Sequence, residues 1–228
     1  MKFLVSVTDK VEALRAYRGG ADIIDIKNPK EGSVGANYPW IIDEIVSSLK
    51  GKVEISATIG DLNFLPGMAS LACYAALKLK VDYVKAGFYK LNLEQAKSLA
   101  KSLSKTLEMN KEAKLVMVSF ADYKEFRGLS YWKLLEIAKD YFDGFLLDLK
   151  LKGERCLFDY LKKEELIRIR DFCRNNSLIF GMAGGLKFEH LKMVKDLEPD
   201  VFGVRRGVLD KLKVSESLVR TFIKSIRS

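Results

Sequence analysis

The sequence predicts an α/β fold, a (β/α)8 TIM barrel, and three observations carry that expectation. Short apolar runs alternate with longer amphipathic stretches along the whole chain, which implies a parallel sheet. Eight such units fit into 228 residues, about the length at which a parallel sheet closes on itself rather than lying open. No linker, low-complexity run or shift in composition interrupts them, so residues 1–228 read as one domain.

Each element has a local reason. Residues 3–7 form an apolar strand, and residues 11–18 a helix stopped by Gly19-Gly20. Residues 22–27 are the second strand, and residues 39–49 a helix that opens on a proline. Residues 53–58 are the third strand; Ile59-Gly60-Asp61 and Pro66-Gly67 then read as a long loop before a helix over 68–79. Strands are expected at 83–86, 115–120, 144–149, 178–183 and 201–204. Helices are expected at 93–103, 132–139, 164–175, 188–196 and 215–226.

The bulk composition narrows the function. Of the residues, 48% are hydrophobic, enough for a sizeable core. No segment reaches the roughly 18 continuous apolar residues of a membrane span, and the N-terminal run is too short for a signal peptide. A cytoplasmic protein without a membrane partner is expected. Cys73, Cys156 and Cys173 are scattered, with no CxxC, and read as reduced thiols rather than a disulfide frame or a zinc site. The net charge of +9 admits nucleic acid, a phosphorylated substrate or solvated lysine-rich helices. The lysines are spread along the chain with no cluster of interleaved aromatics, so nucleic acid is not expected. The oligomeric state is left open, a homo-oligomer included.

The stretch from Asp22 to Asn37, DIIDIKNPKEGSVGAN, carries the chemistry. Side chains alternate along a strand, so Asp25 and Lys27 share a face with Ile23, opposite Ile24 and Ile26. Two charges on one face of a strand are costly to bury for packing alone. A turn-rich loop follows, with Pro29, Gly32 and Gly35. A reactive group at a strand's C-terminal end followed by such a loop is how barrels build active sites. A plain Asp25–Lys27 ion pair is the alternative reading.

Other strand ends add to the set. Ser56 and Thr58 close the third strand and are candidate substrate contacts. Lys85 closes the fourth, Ser119 and Asp122 the fifth, and Asp148 and Lys150 the sixth, with Lys152 just beyond. In a barrel these ends converge on one mouth. Gly184-Gly185 after strand seven and Arg205, Arg206 and Gly207 after strand eight lie where this fold places phosphate. Alternation puts Arg205 on the barrel side with Gly203 and turns Arg206 outward. Two tight glycine turns with a surface arginine pair are the alternative. A lysine amine attacks a carbonyl once desolvation or a second cation lowers its pKa. Lys27 and Lys85, two strands apart, can do this for each other, and Asp25 and Asp148 can take and return protons. The one histidine, His190, falls in an expected helix and argues against a His-based triad or a metal site.

The blocks DIIDIKNPKEGSVGANYPW, SATIGD, DYVKAGFY, LLDLKLKGERCLFDYL and GVRRG resemble the (5-formylfuran-3-yl)methyl phosphate synthase family of archaea and methylotrophs. The resemblance covers nearly the whole chain. It implies a cofactor-free lyase of methanofuran biosynthesis on a (β/α)8 barrel. Such an enzyme joins two molecules of glyceraldehyde 3-phosphate into a furan aldehyde phosphate with loss of phosphate and water. It also implies that Lys27, in the DxKNPKEGSLGAN-type motif, forms the Schiff base, and that Lys85, in DYxKxG, transfers protons. The chain departs from the pattern in GSVGA for the commoner GSLGA, in a basic stretch after Asp148 and in the doubled arginine. Another class I aldolase-like barrel, or a non-catalytic phosphate- or RNA-binding barrel, is the rival expectation.

Overall fold

In the computed structural model eight parallel strands hydrogen-bond in chain order, and the last returns to the first. They are Lys2–Val7 (β1), Ile23–Ile26 (β2), Glu54–Leu62 (β3), Tyr83–Phe88 (β4), Lys114–Phe120 (β5), Gly144–Asp148 (β6), Ile179–Met182 (β7) and Val201–Val204 (β8). The helices are Lys10–Gly19 (α1), Pro39–Leu49 (α2), Pro66–Lys78 (α3), Leu93–Leu107 (α4), Tyr131–Tyr141 (α5), Lys163–Asn175 (α6), Leu191–Leu197 (α7) and Glu216–Arg227 (α8). A short hairpin, Leu209–Asp210 (β9) with Lys213–Val214 (β10), precedes α8. The structure describes residues 1–110, 112–151 and 153–228. The closed eight-stranded barrel expected from the alternation is the fold observed.

Helix ends follow local chemistry. The Asp9 carboxylate accepts the Glu12 amide at 2.9 Å to open α1, and Gly20, at φ +97°, closes it in the left-handed conformation. Asn92 and Gln95 form a reciprocal capping box on α4. Pro39 and Pro66 occupy the first positions of α2 and α3, where their missing amide costs nothing.

Strand alternation sorts the core into two layers. Leu4, Ile23, Tyr83, Val116, Val118, Phe120, Leu146 and Val201 fill the barrel interior. Phe3, Ile24, Ile26, Ile55, Met117, Phe145 and Phe202 face the helices. The same alternation corrects one expectation: Ser119, between the inward Val118 and Phe120, faces the helix layer and not the mouth.

Among the boundaries that differ from the sequence reading, two bear on the site. Ile59-Gly60-Asp61 is not loop. A bulge between Thr58 and Asp61, with Gly60 at φ +120°, lets β3 resume and pair Asp61 and Leu62 with Gly87 and Phe88 of β4. The segment expected as one helix from 188 is a 3-10 turn, Phe188–His190, followed by α7 from Leu191. The glycine pair at 184–185 therefore does not open directly onto an α-helix.

The rim opposite the mouth carries a fourfold device. Asp22, Asp82, Asp143 and Asp200 each stand one residue before an even-numbered strand. Each carboxylate accepts an amide of the preceding odd strand, from Phe3, Ile55, Leu115 and Phe180, all at 2.8 Å. These amides lie at strand starts where the ladder leaves donors over, so a carboxylate per strand pair satisfies them.

Candidate active site

Strands β2, β4 and β6 bring one carboxylate or amine each to the centre of the mouth. Asp25 lies on β2, Lys27 one residue beyond that strand's end, Lys85 on β4 and Asp148 at the end of β6. All four are more than nine-tenths buried: Asp25 0%, Lys85 4%, Asp148 6% and Lys27 7% exposed. The interior below them is apolar, so strand positions that elsewhere hold Leu or Val here hold charge.

Asp25 is the hub. One carboxylate oxygen, Oδ1, lies 2.7 Å from Lys85 Nζ, and Oδ2 accepts the Ser6 hydroxyl at 2.8 Å. Complete burial opposes ionisation of Asp25. The charges of Lys85 and Lys27 and the hydrogen bonds from Lys85 and Ser6 outweigh it, and hold the carboxyl below its usual range. The ion pair read at this strand thus exists, but its hydrogen-bonded cation is Lys85, with Lys27 as a second nearby charge. Lys27 Nζ donates to the Ser33 carbonyl at 3.2 Å. Asp148 Oδ1 accepts the Leu149 amide at 2.7 Å. A buried ion pair adds little net stability against its desolvation cost. A buried carboxyl held ionised by cations in a cleft is the pattern of a reactive site.

The cavity at the mouth has a volume of about 250 Å³, and Lys27, Lys85 and Asp148 line it together with Gly184, Gly185, Arg205 and Arg206. Gly184 and Gly185 have φ of +91° and +69°. A Cβ on Gly185 would come within 2.6 Å of the Arg155 carbonyl oxygen and 2.9 Å of Cys156 Cα, so only glycine fits there. A wider groove of about 740 Å³ lies outside the barrel between α1 and α8, lined by Arg15, Arg18, Lys213, Arg220 and Lys224. None of the strand-end groups reaches it.

Several expected contacts are corrected. Thr58 does not line the cavity. Its hydroxyl donates to the Gly35 carbonyl at 2.7 Å and holds the loop after β2. Ser56 faces inward but sits below the mouth, in a small apolar pocket with Tyr83 and Val116 under Lys85. Gly207 lies off the cavity, and its missing side chain makes room for the backbone of Leu186 and Lys187. Lys150 turns away to Asp61 at 2.7 Å. Arg206 does not point outward: it lines the cavity and donates to the Gly153 carbonyl. Arg205 reaches the cavity wall too, but its guanidinium is engaged by the Ser6 carbonyl and the Glu12 carboxylate, both at 2.9 Å. Alternation fails because the backbone leaves the strand at Arg205, with φ −131° and ψ −64°. Lys152 lies outside the described residues.

Among the described residues no group of three or more His, Cys, Asp or Glu side chains is placed to hold a metal ion. His190 accepts the Lys187 amide on Nδ1 at 2.9 Å, with Cys156 Sγ 3.8 Å from Nε2. No helix among those residues is long and apolar enough to cross a membrane.

A family model described as 4-HFC-P synthase matches residues 3–227. The chain belongs to that family. The (5-formylfuran-3-yl)methyl phosphate synthase of Methanosarcina barkeri is 40% identical over 208 residues, 90% of this chain and 89% of that protein. The synthase of Archaeoglobus fulgidus is 40% identical over 215 residues, 92% and 91% of the two chains. That of Methanopyrus kandleri is 34% identical over 233 residues, 99% and 98%. Among solved structures, phosphoribosyl anthranilate isomerase from Thermococcus kodakaraensis superposes with a TM-score of 0.68 at 15% identity, covering 100% of this chain and 99% of that one. A protein described as QR15, an aldolase, gives 0.68 at 13% identity over 100% and 94%. At such identities the likeness is one of fold.

In this member of the 4-HFC-P synthase family, three residues at the site escaped the sequence reading. Ser6 orients Asp25. Glu12, fully buried, accepts the Thr8 amide and hydroxyl at 2.9 and 3.0 Å besides Arg205. The run Thr8-Asp9-x-x-Glu12 has the spacing of a helix cap, which was the available signal. Asp61 stood in an expected loop, and its only signal was its place in the SATIGD block.

Proposed function

We propose that this chain condenses two molecules of glyceraldehyde 3-phosphate into (5-formylfuran-3-yl)methyl phosphate, a step of methanofuran biosynthesis, through an imine on Lys27. The observation that carries the reading is the buried Lys85–Asp25 pair with Lys27 beside it, facing a cavity that Gly184, Gly185 and Arg206 also line. Family membership supports the product. The lysine amine adds to the aldehyde of the first triose phosphate, and water leaves as the imine forms. Asp25 and Lys85, joined at 2.7 Å, form a proton acceptor and donor that can move the C2 proton and give an enamine. The enamine expels its phosphate from C3. That terminal carbon then attacks the C2 carbonyl of the second triose phosphate, isomerised to its ketone by the same acid–base pair, which makes the new carbon–carbon bond. Closure of the second triose's free hydroxyl onto C2 of the first, loss of two waters and hydrolysis of the imine then give the furan aldehyde and return Lys27. Atoms balance when one phosphate and two waters leave overall, so no oxidant or reductant enters. A cationic, glycine-lined mouth suits two phosphorylated substrates.

Borohydride reduction in the presence of glyceraldehyde 3-phosphate, followed by peptide mass mapping, tests the reading. Lys27 is expected to carry the reduced adduct, and phosphate release and furan absorbance are expected to rise together. Lys27→Ala and Lys27→Arg are expected to lose both, because a guanidinium stays protonated. An adduct on Lys85 with Lys27 unmodified would reverse the role assignment.

A further inference from the structure

The two loops that bracket the cavity are pinned by the same device. The Asp61 carboxylate accepts two consecutive amides of the loop after β2, Ser33 at 2.8 Å and Val34 at 3.1 Å. The Asp122 carboxylate accepts two consecutive amides of the loop after β6, Lys150 at 2.9 Å and Leu151 at 2.7 Å. A carboxylate chelating neighbouring amides fixes both the position and the orientation of that backbone. The two pins are joined. Lys150 Nζ lies 2.7 Å from Asp61 Oδ2, and the Ser33 hydroxyl donates to the Leu149 carbonyl at 2.6 Å.

The first pin bears directly on Lys27, whose amine donates to the carbonyl of Ser33, the residue whose amide Asp61 holds. The local sequence is shaped to admit it. Gly32 stands at φ +148°, and a Cβ there would lie 2.1 Å from Asp61 Oδ2. Gly87, the strand partner of Asp61, would place a Cβ 2.5 Å from Val34 Cγ2 and 3.1 Å from Asp61 Oδ1. Asp61 itself is only 5% exposed in its side chain. Two backbone amides and the Lys150 amine on one nearly buried carboxylate, reached past two obligatory glycines, exceed what capping a surface loop needs.

We infer that Asp61 is a positioning residue for Lys27: its carboxylate fixes the backbone at 32–34, and the Ser33 carbonyl of that backbone sets the Lys27 amine at the cavity wall. This rests on the proposed imine chemistry. Misplacing the amine by an ångström costs about a hundredfold in rate while leaving phosphate contacts untouched. Lys150 supports Asp61 from the opposite side of the mouth, so the β6 loop and the β2 loop set the amine together.

The test compares wild type, Asp61→Asn, Lys150→Met and Lys150→Arg. Measurements are kcat, KM, the rate of borohydride trapping on Lys27, amide hydrogen exchange over residues 28–36, and thermal midpoint. In Asp61→Asn, kcat and trapping are expected to fall about 10- to 100-fold with little change in KM, and exchange over 28–36 is expected to accelerate. Lys150→Met, on a partly exposed side chain, is expected to show a smaller version of the same change, and Lys150→Arg to restore wild-type values. If Asp61→Asn does not fold, Lys150→Met against Lys150→Arg decides alone. Wild-type trapping in a variant whose 28–36 amides exchange faster overturns the inference. Should wild type trap no triose phosphate, the proposed function fails separately. Reductive methylation of Lys27 with formaldehyde then reads the coupling without that substrate. A change of about fivefold or more relative to the exposed Lys101 supports it, and equal labelling overturns it.

Discussion

Arg205 and Arg206 are adjacent in sequence, yet they face different chemistry. Arg205 neutralises Glu12, whose carboxylate has no access to water, while Arg206 is exposed and bends toward the glycine turn. Arg205→Ala is therefore expected to behave as a stability mutation. It strands a buried carboxylate, at about 3–5 kcal/mol, readable in urea or thermal unfolding. Arg206→Ala is expected to fold normally and to raise KM for glyceraldehyde 3-phosphate roughly ten- to hundredfold, the loss of about 1.5–3 kcal/mol of a charged hydrogen bond. Inorganic phosphate competition should weaken in parallel. A wild-type KM in Arg206→Ala would remove it from the phosphate site. Lys85 differs from both, because it touches Asp25 and lines the cavity. Lys85→Ala is expected to slow turnover by about 10²- to 10⁴-fold, the range for a positioned acid or base, while Lys27 still traps an adduct. A single-turnover assay separates the two steps.

The strands have opposite tasks at their two ends. At the mouth, β2, β4 and β6 carry Asp25, Lys85 and Asp148, and Lys27 follows β2 directly. At the far rim, one aspartate per strand pair ties odd strands to even ones. Asp143→Ala is expected to leave the Leu115 amide without its 2.8 Å acceptor and to cost about 1.5–3 kcal/mol, as for hydrogen bonds to charged groups. Its kcat and KM are expected to stay at wild-type values, since the change lies at the opposite end of the barrel from the cavity. Denaturant midpoints and initial rates measured on the same preparation check both halves. A fall in kcat without a fall in midpoint would mean that the rim communicates with the mouth.

For the whole molecule the buried pair at the hub couples stability to pH. Asp25 is held below its usual range in the fold, so the folded state favours the ionised carboxyl. That contribution is complete well above the unfolded pKa of about 3.9. It shrinks as pH falls below it and is gone once the folded carboxyl protonates. Asp25→Asn, which leaves Lys85 buried without its partner, is expected to be less stable than wild type at neutral pH by about 3–5 kcal/mol. The difference should narrow as both are acidified toward pH 3. Unfolding midpoints across that window measure it, and a gap independent of pH would show that the Asp25 charge contributes nothing to the fold.

The barrel could be read in the sequence because its signal is local. Alternation with period two assigns faces within a strand, and turn residues and caps mark the ends. Asp25, Lys27 and Lys85 could be read for the same reason: charge on an apolar strand stands out against its neighbours. What the tertiary structure decided is which mouth groups face the cavity and which hold one another. Thr58 and Gly207 have the right type and position, but one supports the loop after β2 and the other makes room for backbone. Arg206 joins Arg205 at the cavity instead of pointing outward because alternation ends where the backbone leaves β8. Glu12 meets Arg205 across 193 residues, and Asp61 meets Lys150 across 89. Such partnerships leave no periodic trace, because only closure of the barrel brings those carboxylates to their donors.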